Sequence, residues 1–220
     1  MAPRVSFEHE LEELKKSVTA MGELIEQVYS KLFLVLESKD AEAMESIIEN
    51  DRIINDMQHS IEAKCLTLLT RQQPVARDLR VVSAALKVVT DVERIGDHVS
   101  DMAELFLRMQ LPDLEAFSES LPKMILATKE IVWEAVAAFV EGDMEEANKV
   151  IAYDDVIDDY FNQVKEDLIM DLKEGKENPD NCIDVLMIAK YLERIGDHAV
   201  NIGEWAIFQK TGDIDDVRLL

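Results

Sequence analysis

The sequence predicts an all-α protein made of two tandem, pseudo-symmetric antiparallel three-helix bundles. Three observations predict this fold class. Apolar residues recur at spacings of three and four along six stretches of the chain. Polar breaks, several of them containing Pro or Gly, separate these stretches. The hexapeptide Glu-Arg-Ile-Gly-Asp-His occurs twice, which indicates an internal duplication in which each copy forms one helical unit.

The first half of the chain contains three predicted helices. The first helix has a heptad seam and ends at the polar break 38–40. The second helix ends before Pro74, because proline disfavours helical backbone for the residue before it. The third helix ends before Pro112. The seam of the first helix consists of Leu11, Leu14, Val18, Met21, Ile25, Val28, Leu32 and Val35.

The second half repeats this order. Ser120 and Pro122 indicate a helix cap followed by an early-turn proline, which starts the fourth helix. The fourth and fifth helices are separated at 141–143, and the turn-rich segment 175–180 separates the fifth and sixth. Asp40 aligns with Asp143 at an offset of 103, whereas the two hexapeptides are offset by 100. The predicted bundles therefore span 1–111 and 112–220.

The connection between the second and third helices differs between the halves. The segment 72–80 is three residues longer than its counterpart in the second half. It is either an ordinary helix–helix connection or an asymmetric contact element.

The chain is strongly acidic. Its 220 residues contain 23 Lys plus Arg and 46 Asp plus Glu, which gives a net charge of −23. This charge argues against binding to nucleic acid or to an anionic membrane surface, since both require basic residues. It favours cations or basic protein surfaces as partners, although acidity also keeps a protein soluble.

Cysteine usage and hydropathy predict a cytoplasmic location. The two cysteines, Cys65 and Cys182, form no CxxC pair and lie in helical patterns, where buried thiols are expected. The first ten residues lack the apolar core of a secretory signal. No apolar run approaches the ~18 residues of a membrane span, so we expect no membrane insertion.

Two ladders of oxygen-bearing side chains occupy one face of the third and sixth helices. Residues four apart are rotated by only about 40° in an α-helix, so each ladder shares a face. Adjacent like charges cost about 0.2–0.5 kcal/mol per pair, and a mid-helix glycine costs about 1 kcal/mol more. A bound cation would offset these costs, and glycine would let a helix or a ligand approach closely. The ladders are Glu93, Asp97 and Asp101, and Glu193, Asp197 and Asn201.

The second and fifth helices carry a further pair of oxygen donors each. These donors are Asp51 and Asn55, and Asp154 and Asp158. Asp51 and Asp154 lie on the apolar seam, where a carboxylate is costly unless it is paired or bound to a metal. Facing carboxylates without thiolates suit magnesium, manganese or iron, and zinc is possible. Alternatively, these two carboxylates are satisfied core groups bonded to Arg94 and Arg194.

The hexapeptide also supplies two histidines and two arginines. His98 and His198 are rotated about 100° away from the preceding aspartates, and we expect them to support the structure or the ligands, with direct metal ligation as the alternative. Arg94 and Arg194 are predicted to form ion pairs that hold the carboxylates.

The motifs resemble those of the PhoU family. The resemblance rests on the segments 73–80 (QPVARDLR), 91–98 (DVERIGDH) and 191–202 (YLERIGDHAVNI), and it extends from about residue 7 to residue 209. It implies two repeated three-helix bundles and a homodimer. It further implies a non-enzymatic negative regulator of phosphate uptake and phosphate-starvation signalling.

The resemblance also implies partners and metal ligands. The partners would be the ATPase subunit of the phosphate ABC transporter and a sensor histidine kinase. Some members carry metal clusters on their acidic motifs, which correspond here to Glu93 with Asp97 and Glu193 with Asp197, extended to Asp101 and to the acids of the partner helices. The chain departs from the pattern at Asn55 and Asn201, where an amide replaces an acid and each site loses one charge.

Two other functions compete with the regulator. A carboxylate-bridged di-iron protein of ferritin-like type would carry Glu-x-x-His motifs, but Ile95 and Ile195 stand three residues before the motif histidines. A metal-free acidic helical scaffold would dock a basic partner. The sequence contains no P-loop, dinucleotide fingerprint or HExxH motif, so we expect no enzymatic activity.

Overall fold

The computed structural model describes residues 3–110, 112–214 and 217–218. Six α-helices make up most of these residues, and the all-α prediction is confirmed. The predicted boundary between the bundles falls at Leu111, outside the described residues. The helices are α1 Pro3–Ser38, α2 Ala41–Gln72, α3 Arg77–Arg108, α4 Ser120–Glu141, α5 Met144–Glu174 and α6 Pro179–Thr211.

The helices form two layers. Helices α2, α3, α6 and α5 lie side by side in that order, and α1 and α4 cover one face of this layer. The two bundles meet mainly where α3 packs against α6. These two helices run antiparallel, because Arg108 at the end of α3 pairs with Asp184 near the start of α6. At the opposite end, the Arg80 side chain donates to the backbone carbonyls of Gln209 and Lys210.

Local sequence signals begin and end the helices mostly where they were expected. The Asp40 and Asp143 side chains accept backbone N–H groups at the starts of α2 and α5. Gly175 ends α5 in a left-handed conformation, and Pro179 is the first residue of α6. The cap predicted at Ser120 is wrong by one residue, because the N-cap position is Glu119, whose side chain makes no cap hydrogen bond. Ser120 is already helical, and its N–H donates to the Ser118 hydroxyl at 3.1 Å.

The segment 72–80 is both an ordinary helix–helix connection and a contact element, the two alternatives that the sequence left open. The helical residue Gln72 ends α2, Gln73 is left-handed, and α3 starts at Arg77. Arg80 nevertheless contacts the end of α6. The connection therefore holds the first bundle against the second.

The core is continuous across both bundles. The Tyr29 hydroxyl of α1 lies 2.5 Å from the Thr128 hydroxyl of α4, and both side chains are buried. Cys65 and Cys182 are buried free thiols, as expected. This continuity means that the two bundles form one packed body rather than two independent units.

The motif glycines allow close helix packing. A Cβ atom on Gly96 would lie 3.0 Å from the Ile54 side chain of α2, and one on Gly196 would lie 3.0 Å from Ile157 of α5. Both isoleucines are buried. The close approach predicted from the glycines is therefore an approach between helices.

The C-terminal end differs from the sequence-based prediction. Residues Asp213–Ile214 and Val217–Arg218 form a short antiparallel pair, although no strand was expected. A 3₁₀-helix, Leu114–Ala116, lies between α3 and α4. Over the described ranges, no helix combines the length and the apolar character needed to cross a membrane.

Candidate functional site

The first acidic cluster joins α2 and α3. The carboxyl groups of Asp51 and Asp97 lie within hydrogen-bonding reach of each other. Asp51 Oδ2 also accepts a hydrogen bond from Asn55 Nδ2 at 3.0 Å. Asp51 Oδ1 is buried, and no described residue bonds to it. The structure thus brings together Asp51, Asn55 and Asp97, and it leaves one buried oxygen available for a ligand.

Burial and like charge disfavour ionisation in this cluster. Burial raises the pKa of Asp51, and the negative charge of Asp97 raises it further. Burial likewise raises the pKa of Glu93, and the charge of Asp97 raises it further. Arg94 opposes this shift, whereas Asp51 adds a smaller increase. A cation bound among these oxygens would relieve the repulsion.

Arg94 provides part of the compensating positive charge. Its Nη1 donates to Asp97 Oδ2 at 2.9 Å, and its Nε lies 3.5 Å from Glu93 Oε2. The predicted ion pairing of Arg94 is confirmed for these two acids, whereas Asp51 is bonded to Asn55 instead. The Arg94 side chain is 55% exposed, so its attraction is screened by water.

The second cluster occupies the equivalent place between α5 and α6. Burial raises the pKa of Asp154, and the charges of Asp158 and Asp197 raise it further. Burial and the charge of Glu193 raise the pKa of Asp197. These four acids therefore act on one another, as the repeat predicts.

The charge compensation differs between the clusters. Lys190 of α6 forms a 2.5 Å ion pair with Glu193, and the residue equivalent to Lys190 in the first cluster is Thr90. The charge of Arg194 acts instead on His98 of α3 and on Tyr191 of α6. The predicted role of Arg194 as a partner of the acids therefore stays a prediction.

The third residue of each ladder lies at the contact between α3 and α6, which we call the interbundle seam. Its residues are Asp91, His98 and Asp101 of α3 and Tyr191, His198 and Asn201 of α6. Burial and the charge of Glu104 raise the pKa of Asp101, and the Tyr191 hydroxyl of α6 partly offsets this effect. Asn201 Nδ2 donates to Asp91 Oδ1 at 3.3 Å, and His198 Nδ1 donates to the same oxygen at 2.8 Å. Asp101 and Asn201 thus bridge the bundles, whereas their predicted role as metal ligands stays untested.

His98 lies at the centre of the interbundle seam. Its ring stacks on Tyr191 with centroids 5.3 Å apart, and the His198 ring lies 5.7 Å away. Both ring nitrogens are buried, and neither has a hydrogen-bond partner among the described residues. Burial and the positive charges of His198 and Arg194 lower the pKa of His98 to about 4. The ring is therefore neutral at physiological pH and has a packing role.

Sequence reasoning did not identify Asp91 and Tyr191 as members of this seam. Both lie seven residues before the motif histidines, so they are equivalent positions in the repeat. Seven residues are two helical turns, which places each residue on the same helix face as its own histidine. This spacing is the signal that could have found them.

The acidic clusters fit a hard cation by donor chemistry. They supply carboxylate oxygens, raised pKa values and the unpartnered Asp51 Oδ1. With the side chains as placed, no three His, Cys, Asp or Glu residues within 3–110, 112–214 and 217–218 converge closely enough to hold a metal ion. Metal binding therefore requires side chains to rotate. The exposed Asp158 and Asp197 can do so, because core packing does not hold them.

Comparisons with known proteins match this architecture over its full length. A family profile described as "PhoU domain" matches residues 18–106 and 121–206. The "Phosphate-specific transport system accessory protein PhoU homolog" of Clostridium acetobutylicum is 35% identical over 216 residues, covering 98% of this chain and 99% of the relative. The homologue of Streptococcus pneumoniae is 33% identical over 215 residues, covering 98% of this chain and 100% of the relative.

Two crystal structures are also similar. The phosphate transport system regulatory protein PhoU from Streptococcus pneumoniae has a TM-score of 0.86 and 32% identity, covering 96% of this chain and 100% of that chain. PhoU from Pseudomonas aeruginosa has a TM-score of 0.86 and 30% identity, covering 94% of this chain and 100% of that chain.

Proposed function

Because this chain belongs to the PhoU family, we propose that it is a non-enzymatic, metal-binding regulator of phosphate uptake and phosphate-starvation signalling. It acts in the cytoplasm, as a homodimer, between the phosphate ABC transporter and its sensor histidine kinase. The names of its relatives, accessory proteins of phosphate-specific transport, support the transport role. The duplicated acidic clusters support the metal-binding role.

The observation that carries metal binding is the buried, unpartnered Oδ1 of Asp51 beside Asp97. A buried carboxylate oxygen without a donor is costly, and a cation supplies the missing positive charge. Asp51, Glu93 and Asp97 would hold the ion in the first bundle, and Asp154, Asp158, Glu193 and Asp197 would hold it in the second. Iron, manganese and magnesium suit these donors, and zinc is possible.

The proposal assigns no catalytic step to the chain. The di-iron alternative needs histidine ligands in Glu-x-x-His motifs, but the motif histidines His98 and His198 face the interbundle seam. The bound ion instead supplies fixed positive charge that neutralises each cluster. Asn55 orients Asp51 through its amide, and Arg94 orients Glu93 and Asp97.

Substituting one aspartate per bundle tests the metal role. We expect Asp97→Asn and Asp197→Asn each to remove about half of the manganese bound after equilibrium dialysis, measured by elemental analysis, because each bundle holds its own ion. The control Asp56→Asn removes an exposed acid of α2 and should leave the metal content unchanged. Unchanged metal content in both variants would contradict the proposal. Unchanged circular dichroism spectra would show that the variants remain folded.

Affinity purification tests the regulatory role separately. From phosphate-replete cells, the tagged chain should recover the transporter ATPase subunit and the sensor kinase. Deleting the gene that encodes this protein should raise kinase-dependent transcription in phosphate-replete cells. Recovery of neither partner, together with unchanged transcription, would overturn the regulatory role and leave the metal result unaffected.

A further inference from the structure

The outer side of α4 exposes large apolar side chains. Half of the α4 residues are buried, whereas Leu126 is 52% exposed and Trp133 is 45% exposed. The two residues are seven positions apart, so they lie on the same side of the helix about 10 Å from each other. The exposed Glu130 lies between them. Burial raises the pKa of the half-buried Tyr153 of α5, and the charge of Glu130 raises it further.

We call Leu126, Glu130, Trp133 and Glu134, with Tyr153 beside them, the α4 outer face. The apolar residues of the α4 outer face are not required by the duplicated fold. At the offset of 103, the equivalent residues of α1 are Glu23, Gln27, Ser30 and Lys31. At these four positions the first bundle forms the same helix with polar side chains, although Leu34, one turn beyond Ser30, is 64% exposed. Trp and Tyr are enriched among the residues that carry most binding energy at protein interfaces.

The rim of the α4 outer face is negatively charged. Burial raises the pKa of Glu134, and the charges of Glu130 and Glu146 raise it further, against a smaller opposing effect of Lys149. Helix α4 also carries the exposed Lys123 and the partly exposed Lys129. Lys129 pairs with Glu26 and Lys149 pairs with Glu146, so the acids around the face still exceed the lysines. A second copy of this chain seated on this face would bring Glu130 and Glu134 of both copies together, which like-charge repulsion disfavours. A partner with Lys and Arg around an apolar stripe is complementary.

We propose that the α4 outer face docks an amphipathic helix of a partner protein. Apolar side chains of that helix pack on Leu126 and Trp133, and flanking Lys or Arg side chains pair with Glu130 and Glu134. The seven-residue repeat of the exposed apolar positions suits a helix packed along α4, because such a helix presents its own apolar residues at the same spacing. The docking site is independent of metal binding and extends the proposed function with a partner surface.

A synthetic peptide tests this proposal with the full-length protein. The probe is an amphipathic helix with leucines in heptad spacing and flanking lysines, and binding is followed by NMR chemical-shift changes. We expect shifts centred on 126–134 and on Tyr153. Trp133→Ser and Leu126→Glu, which install the α1 residues, should each weaken binding at least tenfold. The matched control Leu34→Glu changes a 64% exposed leucine of α1 and should leave affinity unchanged.

Two further peptides separate docking from general charge attraction. A scrambled peptide of the same composition and a peptide with glutamates in place of the lysines should both fail to shift the α4 outer face. Thermal melting shows that the variants are folded. Shifts centred elsewhere, equal binding of the scrambled peptide, or no binding at millimolar peptide would overturn the proposal. Loss of a dimer in Trp133→Ser by sedimentation would also overturn it, because a second copy would then cover this surface.

Discussion

Asp51→Asn is expected to stabilise the metal-free protein while it removes the stabilisation that manganese gives to the first bundle. The pKa of Asp51 is raised by burial and by Asp97. A carboxyl group whose pKa is raised by folding makes the native state less stable above that pKa, because folding then holds an unfavourable charge. Replacing it with a neutral amide removes this cost, and we expect a gain of about 0.5–2 kcal/mol at pH 7.

The same substitution should change the response to metal. A ligand at one hundred times its dissociation constant stabilises a protein by about 2.7 kcal/mol per site. Wild type should gain this from both bundles in manganese, whereas Asp51→Asn should gain it only from the second. Combining Asp51→Asn with Asp154→Asn should abolish the gain. Urea unfolding with and without manganese measures both effects.

Asp56→Asn serves as the control, since Asp56 lies on the exposed side of the same helix. It should change neither the metal-free stability nor the response to manganese. A destabilised Asp51→Asn protein in the absence of metal would show that Asp51 is a satisfied structural carboxylate. That result would favour the metal-free scaffold.

The second large effect is a loss of stability in acid that depends on His98. The pKa of His98 is lowered to about 4 in the folded protein, against about 6.5 in the unfolded chain. Folding therefore favours the neutral ring. The stability linked to this group is fully present above pH 6.5 and is lost as the pH falls through 4, with a limit of about 3 kcal/mol.

The groups that face His98 determine the direction of this shift. Burial opposes a charged ring most strongly, and the positive charges of His198, Arg194 and Arg94 add to this opposition, whereas Asp97 favours the charge. Asp101 Oδ2, at 3.9 Å from Nδ1, is too distant for a hydrogen bond. As the pH falls through the same range, the raised pKa values of the acidic clusters make the folded protein more stable, because protonation removes unfavourable charge. The contribution of His98 must therefore be measured as a difference between proteins.

His98→Phe isolates that contribution, because phenylalanine preserves the stacking on Tyr191 and cannot take up a proton. Relative to wild type, this variant should become progressively more stable from pH 6.5 to pH 4 in urea unfolding. His59→Phe, at an exposed position of α2, is the control and should follow the wild-type pH profile. A constant difference between His98→Phe and wild type across this range would contradict the assignment of a buried neutral His98.

The helices could be predicted because their signals are local. Heptad spacing, the polar breaks 38–40 and 141–143, and the repeated hexapeptide act over short stretches of the chain and survive folding. The pairing of Asp51 with the acids of α3 could also be predicted, since a carboxylate on an apolar seam must face a neighbouring helix. Ser118, which accepts the N–H of Ser120, was missed because it lies in the irregular segment between the 3₁₀-helix Leu114–Ala116 and α4, which has no periodic pattern.

The interbundle seam could not be derived from the ladders alone. Four-residue spacing drifts by about 40° per step, so the third residue is turned about 80° from the first. Asp101 and Asn201 therefore turn toward the next helix, although the charge of Asp101 still acts on Asp51 in the acidic cluster. Which helix these two residues reach depends on how the two bundles pack against each other, and the sequence predicts only that there are two bundles.

Anomalous diffraction from crystals grown with manganese tests the central claim most directly, because it locates the ion without reference to activity. We expect one anomalous site between Asp51, Glu93 and Asp97 and a second between Asp154, Glu193 and Asp197. Both sites should vanish in the Asp51→Asn, Asp154→Asn double variant. Anomalous peaks confined to other surfaces, or clusters without peaks at millimolar manganese, would contradict the claim that the duplicated acids exist to hold cations.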